Sequence, residues 1–434
     1  MKKTAVFFGI ILFSFTCVYS QEENLLDTGI DDIDSLFDEK QPETKSESQS
    51  NARQETKPDL SGAKSAAASI NVRQTGLTVG ASYKFQGGIV PGWEIPPWEL
   101  NGEDEVKEYF NWGQGINMTA DLSFDAQITE FFRARSVISF SIPGFGFSLG
   151  DFYFDYNFFN FVFLRAGKYE HSWGISRNFT FSNLLTRVPD GDVVGASFVI
   201  KADVPVGIGG LQLLALTRAD ITGGETPSVS QIGFGGKYNL ALRWADFDMG
   251  IFYQQLMATR GIFSVKTTLL DIELYNEWLL AVDTHLDNKA SFAVNAGAVK
   301  SFFGNKLEMN AEFFYNGEGN AFFFRPETDY REEDTVLFAE GINLAFNIFY
   351  RISGRSGLRL FTNFLYKPAD HSVQLVPGFR MSPFQSINVY FAVPMALGSK
   401  EGYYYSNTAD AMNRPFSITM LITLNGGVMG RIGN

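Results

Sequence analysis

Charged side chains recur at every second position along many apolar segments of this chain. In an extended strand such charges share one face and the large apolar residues between them share the other. A charge facing hydrocarbon near the middle of a bilayer costs about 2–4 kcal/mol, so a charged face beside an apolar one predicts a water-filled interior. The candidate lining residues are the basic Arg133, Arg135, Arg165, Lys201, Lys237, Arg243, Lys266, Arg359 and Arg380 and the acidic Glu273, Glu277, Glu308 and Glu312.

The two signs of charge are separated along the sequence. The stretch 201–266 is largely basic on this face, and the stretch 273–312 is acidic. Opposed charges across a passage create a transverse field that orders water, passes polar solutes and slows apolar ones. The alternative for any one residue is pairing across neighbouring strands, as Asp125 and Arg133 can do beside a tight turn.

Residue types that commonly catalyse reactions or bind metals are sparse. The three histidines, His171, His285 and His371, all fall at predicted loop edges with no ligand spacing between them, which argues against a metal site. Ser172 lies next to His171, but adjacent side chains in an extended segment point to opposite faces, so the two do not form a nucleophile and its base. We therefore expect no enzyme activity, no cofactor and no nucleic-acid partner.

The segment 341–366 shows the local structure that must position these charges. It consists of two alternating runs separated by a Gly- and Ser-containing turn, and both runs end in a tyrosine, which predicts a membrane-crossing hairpin. Hydrophobic residues make up 45% of the chain. No apolar stretch after the first 20 residues reaches the roughly 18 needed for a transmembrane helix. The side chains predicted to face lipid include Leu344, Phe346, Ile348, Met420 and Ile422.

Alternating runs of this kind continue to the end of the chain. They predict an all-β fold, a transmembrane antiparallel up-and-down β-barrel of about 18 strands, with 14 or 16 left open. A soluble sandwich or propeller also alternates, but it hides its large residues between layers, whereas here the apolar face is uninterrupted in nearly every strand. Tight connections alternate with longer ones, the pattern of barrels in the outer membrane of diderm bacteria, where short turns face the periplasm.

The first 69 residues have a different composition. Residues 1–20 carry two lysines, an apolar run and small residues before the expected cleavage after Ser20, which indicates a secretory signal. A lipoprotein signal through Cys17, the only cysteine, is the alternative. Residues 21–69 predict an acidic, mostly disordered periplasmic segment with a short amphipathic helix, because twelve acidic and four basic residues lie between Gln21 and Leu60. The barrel is predicted over residues 70–434.

A strand and loop in the first half of the barrel carry a recognisable pattern. Residues 161–192 contain Arg165-Ala-Gly-Lys168, then Trp173-Gly174, then Phe181-Ser-Asn-Leu-Leu and Pro189-Asp-Gly191. This pattern resembles a strand and loop of bacterial outer-membrane porins. The resemblance implies a loop that folds into the lumen and narrows it, with Arg177 and Arg187 at the constriction. One departure is the end of the chain, since 426–434 lacks the terminal aromatic residue usual in such barrels.

These features predict a porin-like outer-membrane channel for passive diffusion of small polar or charged solutes. A transporter of hydrophobic compounds and a surface adhesin or structural barrel are the alternatives. The expected partners are outer-membrane lipid, small-molecule solutes and, during insertion, the barrel-assembly machinery. An oligomer is compatible with the sequence.

Overall fold

A computed structural model describes residues 76–432 except 101, 170, 180–196, 218, 220, 222–223, 225, 256–257, 283–289, 318–339, 354–356 and 407–413. The predicted signal at 1–20, the acidic segment at 21–69 and Arg187 lie outside the described residues. The strands are β1 (Gly76–Trp93), β2 (Phe110–Gln127), β3 (Phe132–Ile142), β4 (Gly146–Phe158), β5 (Val162–Tyr169), β6 (Ser197–Val206), β7 (Gly209–Thr217), β8 (Ile232–Ala241), β9 (Asp246–Gln254), β10 (Thr259–Leu269), β11 (Ile272–Val282), β12 (Ala290–Phe302), β13 (Leu307–Asn316), β14 (Gly341–Ser353), β15 (Leu358–Lys367), β16 (Ser372–Phe384), β17 (Ile387–Ala392 and Met395–Leu397) and β18 (Phe416–Ser417 and Thr419–Ile432). Two short helices, α1 (Glu103–Glu108) and α2 (Tyr403–Ser406), and two 3-10 turns, Pro97–Glu99 and Val229–Gln231, lie in the loops.

The described residues form a closed antiparallel barrel of 18 strands, as the alternating runs predict. Each strand pairs with the next along the chain, and β1 closes the ring by pairing with β18 from Leu77↔Ile432 to Ile89↔Met420. Closure leaves no open sheet edge, so the backbone groups of every strand have partners within the bilayer. Neither helix in the described part of the chain is long and apolar enough to cross a membrane.

The last strand is longer than the sequence indicates. Its alternation fades after Leu424, yet residues 426–432 continue β18 and pair with β1. Gly426, Gly427 and Gly430 interrupt the pattern because glycine has no side chain to mark a face, although its backbone still pairs. This corrects the expectation that the stretch after Leu424 follows the last strand.

The two ends of the barrel differ in the length of their connections. The end that carries the first residue of β1 and the last of β18 has short turns throughout. One is the two-residue turn Leu270-Asp271, where both residues have positive φ, 53° and 57°, as a type I′ hairpin turn requires. The opposite end carries the long loops, together with three short connections at 143–145, 255–258 and 368–371. By the rule for outer-membrane barrels, the short-turn end faces the periplasm.

Neighbouring residues on one strand show which face meets lipid. On β13, Phe313 is 40% exposed whereas Phe314 is 1% exposed, and on β18 Ile422 is 45% exposed whereas Leu421 is 4% exposed. On β14 the buried residues are Asn343, Ala345, Asn347 and Phe349, and the large apolar residues between them face outward. Glu308 and Glu312 lie on the inward face of β13 with Phe314.

Cysteine labelling tests this assignment of faces. In full-length protein lacking Cys17, a cysteine at Phe346 should react with a lipid-phase probe, and a cysteine at Arg135 should react with a water-soluble maleimide. Arg135 is chosen because it is half-buried on the inward face of β3. Since side chains alternate with period two, a one-residue shift in register would exchange the two reactivities. Reaction of position 346 with the maleimide would show that the faces are reversed.

Candidate functional site

Most inward-facing cations lie next to a carboxylate on the same strand or a neighbouring one. The pairs are Arg133–Asp125, Arg165–Asp155 at 2.6 Å, Lys201–Asp203 at 2.9 Å, Lys237–Asp248 at 3.6 Å and Lys266–Glu273 at 3.0 Å. Lys201, Lys237 and Lys266 therefore each have a counter-charge nearby, as the pairing alternative in the sequence allowed. Ion pairs of this kind fix side chains along the wall and leave a polar surface facing the lumen.

The remaining basic residues are placed differently from one another. Arg135 lies opposite Asp125 across β2 and β3. Arg359 and Arg380 lie directly opposite each other across β15 and β16. Arg243 does not line the lumen, because β8 ends at Ala241 and Arg243 is exposed in the turn before β9. That position corrects the expectation for Arg243.

The loop after β5 enters the barrel, and Trp173 anchors its first part. The indole Nε1 donates a hydrogen bond to Gln212 Oε1 at 2.7 Å, and the ring packs edge-on against Phe252 with centroids 6.3 Å apart. Trp173 is 2% exposed. Glycine on the facing strand makes room for it, since a Cβ at Gly235 would lie 2.8 Å from Trp173 Cη2. The aromatic anchor therefore depends on the small residue opposite it.

Glu312 holds the next part of the loop through the backbone. Its Oε1 accepts hydrogen bonds from the N–H groups of Arg177 at 2.8 Å and Asn178 at 3.1 Å, and its Oε2 accepts from Phe179 at 3.2 Å. The Tyr275 hydroxyl also donates to Glu312 Oε1. A single carboxylate on β13 thus satisfies three successive N–H donors of a segment that lies outside any strand.

Glu277 on β11 makes a similar contact one step earlier along the loop. Its Oε1 accepts from the backbone N–H of Ile175 at 3.3 Å, and its Oε2 accepts from the hydroxyl of Ser176. Glu277 is 0% exposed and Glu312 is 3% exposed. Both carboxylates are therefore covered by the loop instead of facing the water-filled part of the lumen.

The side chain of Arg177 joins two more acidic residues of the same wall. Its guanidinium lies 2.8 Å from Glu273 Oε1 and 3.4 Å from Glu308 Oε1. Beyond it, Asn178 pairs with Asn347 on β14, and Phe179 stacks on Phe314 with centroids 5.0 Å apart. The four glutamates assigned to the lumen from sequence are thus brought together by residues 175–179.

A second loop element covers part of the outer mouth. The Tyr404 hydroxyl of α2 donates to Asn343 Oδ1 on β14 at 3.1 Å. Asp370, in the turn between β15 and β16, accepts hydrogen bonds from the backbone N–H groups of Ser372 at 2.9 Å and Tyr403 at 2.8 Å. Burial raises the pKa of Asp370, but these hydrogen bonds and the Ser372 hydroxyl outweigh it and hold that pKa below its usual value. The carboxylate therefore fixes α2 while it is ionised.

The site includes residues that the sequence did not single out. Gln212, Tyr275 and Asn347 all contact or support the inserted loop, but each type is common on strands and loops alike. Arg351 was missed because the alternation was followed only to Tyr350, whereas β14 continues to Ser353. Continuing the alternation of β14 by one more inward position, from Phe349, would have identified Arg351.

Solved structures of similar shape are known. The chain is similar to OccK3 (OpdO) of Pseudomonas aeruginosa, with a TM-score of 0.52 and 10% identity over 81% of this chain and 96% of that one. It is similar to OccK11 (OpdR) of the same bacterium, with a TM-score of 0.51 and 9% identity over 81% of this chain and 96% of that one. For OccD3 (OpdP) the TM-score is 0.50 and the identity 9%, over 82% of this chain and 92% of that one.

No protein-family model matches the sequence, and no curated protein sequence matches it. At about one identical residue in ten, the similarity concerns the fold, and the roles of individual residues rest on the geometry of this chain. The 18-strand closure, the apolar outer face and the short-turn end agree with that fold. Together they show that the chain has the closed β-barrel fold of these solved proteins.

Proposed function

We propose that this barrel is a channel for passive diffusion of small polar or charged solutes. The observation that carries the proposal is the one-sided placement of the inserted loop. Residues 171–179 pack against β7–β14, where the inward side chains are buried, including Leu214, Phe252, Glu277, Phe314 and Asn347. Inward residues on the opposite side, such as Lys84 on β1 and Arg380 on β16, are only half-buried.

The water-filled path therefore runs along β15–β18 and β1–β4. Polar or charged side chains are common among its described inward residues and include Ser82, Asp121, Arg133 and Asn363. The apolar cluster inside the barrel contains Trp173 of the loop and Phe252 of the wall. The loop and the wall pack against each other in this cluster. That packing favours polar solutes over the hydrophobic compounds of the alternative, and we assign the chain no catalytic role.

The placement of the chain ends supports a proposal for the N-terminal region. Because β1 begins at the short-turn end, we infer that residues 21–69 lie in the periplasm as an acidic tether, after removal of a signal at 1–20. We also propose that the barrel-assembly machinery inserts the barrel into the membrane. An adhesin role would instead depend on the long loops at the other end, and binding that survives loop deletion would exclude it.

Planar-bilayer recording on purified, refolded protein tests the channel proposal. We expect stepwise currents in potassium chloride, because a wall of half-buried ionised groups keeps water and ions in the lumen. Heat-modifiable mobility on a denaturing gel is the folding control, since a closed barrel migrates differently before and after boiling. Folded protein that passes no current would overturn the proposal and return the hydrophobic-transporter alternative.

A further inference from the structure

Two opposite charges face the water-filled path without binding each other. Lys84 lies on β1 and Asp121 lies on β2, and both are half-buried on the inward face. Lys84 is in register with Thr119, and Asp121 is in register with Ser82, so the two charged residues are diagonal neighbours. Within the part of the chain that the structure describes, neither side chain forms an ion pair or a hydrogen bond. Both charges are therefore presented to the lumen.

The same diagonal arrangement forms ion pairs elsewhere in the wall. Lys237 and Asp248 are diagonal neighbours across β8 and β9, and their side-chain charges lie 3.6 Å apart. Lys266 and Glu273 are diagonal neighbours across β10 and β11, and their side-chain charges lie 3.0 Å apart. In both pairs, as for Lys84, the carboxylate is on the following strand and two residues closer to the short-turn end. These two pairs lie on the side where the inserted loop packs, whereas the open pair lies on the water-filled path.

The surroundings of Lys84 and Asp121 supply no further charge. Lys84 has an uncharged cross-strand neighbour on β2 and another on β18, and Asp121 has one on β1 and another on β3. Together with the next inward positions on β1 and β2, these neighbours are Ser82, Gln86, Thr119, Ser123, Ser139 and Asn425. A solute at this level of the path therefore meets one cation and one anion among hydroxyl and amide groups.

The spacing of the two charges suits a solute that carries both signs. The Cα atoms of diagonal neighbours in a sheet lie about 7–8 Å apart, which leaves room for a small group between two side chains that do not touch. An α-amino acid carries its ammonium and carboxylate groups on one carbon atom. It can therefore donate to Asp121 and accept from Lys84 at the same time, through two charge-assisted hydrogen bonds.

We propose that Lys84 and Asp121 form a binding site for small zwitterionic solutes of the α-amino acid class. The ammonium group of Lys84 donates to the carboxylate of the solute, and the carboxylate of Asp121 accepts from its ammonium group. This inference deepens the proposed function, on which it rests for the passage of the bound solute. Because both residues are half-buried, water competes for them, and the solute binds weakly enough to leave again, as conduction requires.

The test measures glycine binding to the full-length refolded protein by saturation-transfer nuclear magnetic resonance. Lys84→Gln and Asp121→Asn each remove one charged contact and should weaken glycine binding at least about fivefold. Glycinamide lacks the carboxylate and acetate lacks the ammonium group, so each should bind the wild type at least about fivefold more weakly than glycine does. Lys306→Gln, in the exposed turn before β13, is the matched control and should bind glycine as the wild type does.

Exchanging the two charges separates recognition of a zwitterion from attraction of either charge alone. In Lys84→Asp/Asp121→Lys the same charges are present in reversed positions, and glycine can turn round to meet them. We expect its affinity to return to within about threefold of the wild type, whereas Lys84→Asp alone should lose binding because two carboxylates then face the solute. Heat-modifiable mobility checks that each variant folds.

Two results would overturn the site. One is equal glycine binding in the wild type, Lys84→Gln and Asp121→Asn. The other is a folded exchange variant that binds no better than Lys84→Asp, since the contacts would then not depend on opposite charges. Where the exchange variant does not fold, the two conservative single variants decide the matter.

A second measurement separates this site from the channel proposal. Glycine added to potassium chloride should interrupt the current of the wild type in a concentration-dependent manner, and the interruptions should be lost in Lys84→Gln and kept in Lys306→Gln. If the wild type binds glycine but passes no current, the channel proposal fails and the site stands. If the wild type passes current but does not bind glycine, the site is overturned and the channel proposal stands.

Discussion

Replacing Glu312 with alanine is expected to release the inserted loop from the wall and to raise single-channel conductance several-fold. The carboxylate accepts hydrogen bonds from three successive N–H groups, those of Arg177, Asn178 and Phe179. A hydrogen bond to a charged group is worth about 1.5–3 kcal/mol, and each donor left buried without a partner adds its own cost. Alanine removes all three acceptor contacts at once, so the segment 177–179 keeps only the side-chain contacts of Arg177, Asn178 and Phe179 with the wall.

The measurement combines conductance with labelling of a cysteine at Ser176. In the Glu312→Ala background this cysteine should become reactive to a maleimide added from outside, whereas in the parent protein it should be protected. Tyr275→Phe is the matched control, because it removes one hydrogen bond to Glu312 without touching the loop. Wild-type conductance and wild-type protection in Glu312→Ala would show that the aromatic contacts of Trp173 and Phe179 hold the loop without the carboxylate.

The strand framework was predictable because alternation is a local property of the sequence. The alternation within one strand predicts which side chains share a face, without knowledge of any partner strand. It predicts that Phe346 and Ile422 point outward and that Glu308 and Glu312 point inward. The number of strands follows in the same way, since a continuous up-and-down order needs only a count of alternating runs. The first strand, β1, and the last, β18, then pair and close the barrel.

Strand ends were less predictable than strand centres. Gly427 carries no side chain to mark a face, and Arg351 lies just beyond Tyr350, where the predicted alternating run ends, yet both are paired residues of the barrel. Hydrogen bonding between strands continues wherever the backbones run side by side, whatever the side chains are. Features at the ends, including the arginine register across β14–β16, therefore need the pairing itself.

The inserted loop shows a different limit of the sequence. The resemblance over residues 161–192 suggested a constriction loop, and the described part of that loop lies in the lumen. Its main contacts join backbone N–H groups of the loop to the carboxylate of Glu312. Glu312 lies 135 residues from Arg177 along the chain. Every residue except proline has such a donor, so no residue type marks the partner in advance. The sequence predicted that the acidic stretch 273–312 faces solute. In the structure its four glutamates mainly contact the inserted loop.

Reversing the charge of Arg177 is expected to be the most disruptive single change in the loop. In Arg177→Glu a third carboxylate replaces the cation that lies 2.8 Å from Glu273 and 3.4 Å from Glu308. Lys266, at 3.0 Å from Glu273, is then the nearest cation to the group. Removing one partner of a largely buried ion pair costs roughly 3–5 kcal/mol, and adding a like charge increases that cost. We expect the loop to leave the wall and the Ser176→Cys label to react.

Exchanging the partners tests whether the contact itself matters. In Arg177→Glu/Glu308→Arg the opposite charges meet again with their positions reversed, so protection of the Ser176→Cys label should be largely restored. Urea unfolding in lipid vesicles should show a favourable coupling of about 1–3 kcal/mol between the two changes. Arg243→Glu, in the exposed turn before β9, makes the same charge change outside the lumen and should leave both readouts unaltered. If the double variant is as disrupted as Arg177→Glu alone, Glu308 is not an energetic partner of the loop, and the backbone contacts to Glu277 and Glu312 account for its position.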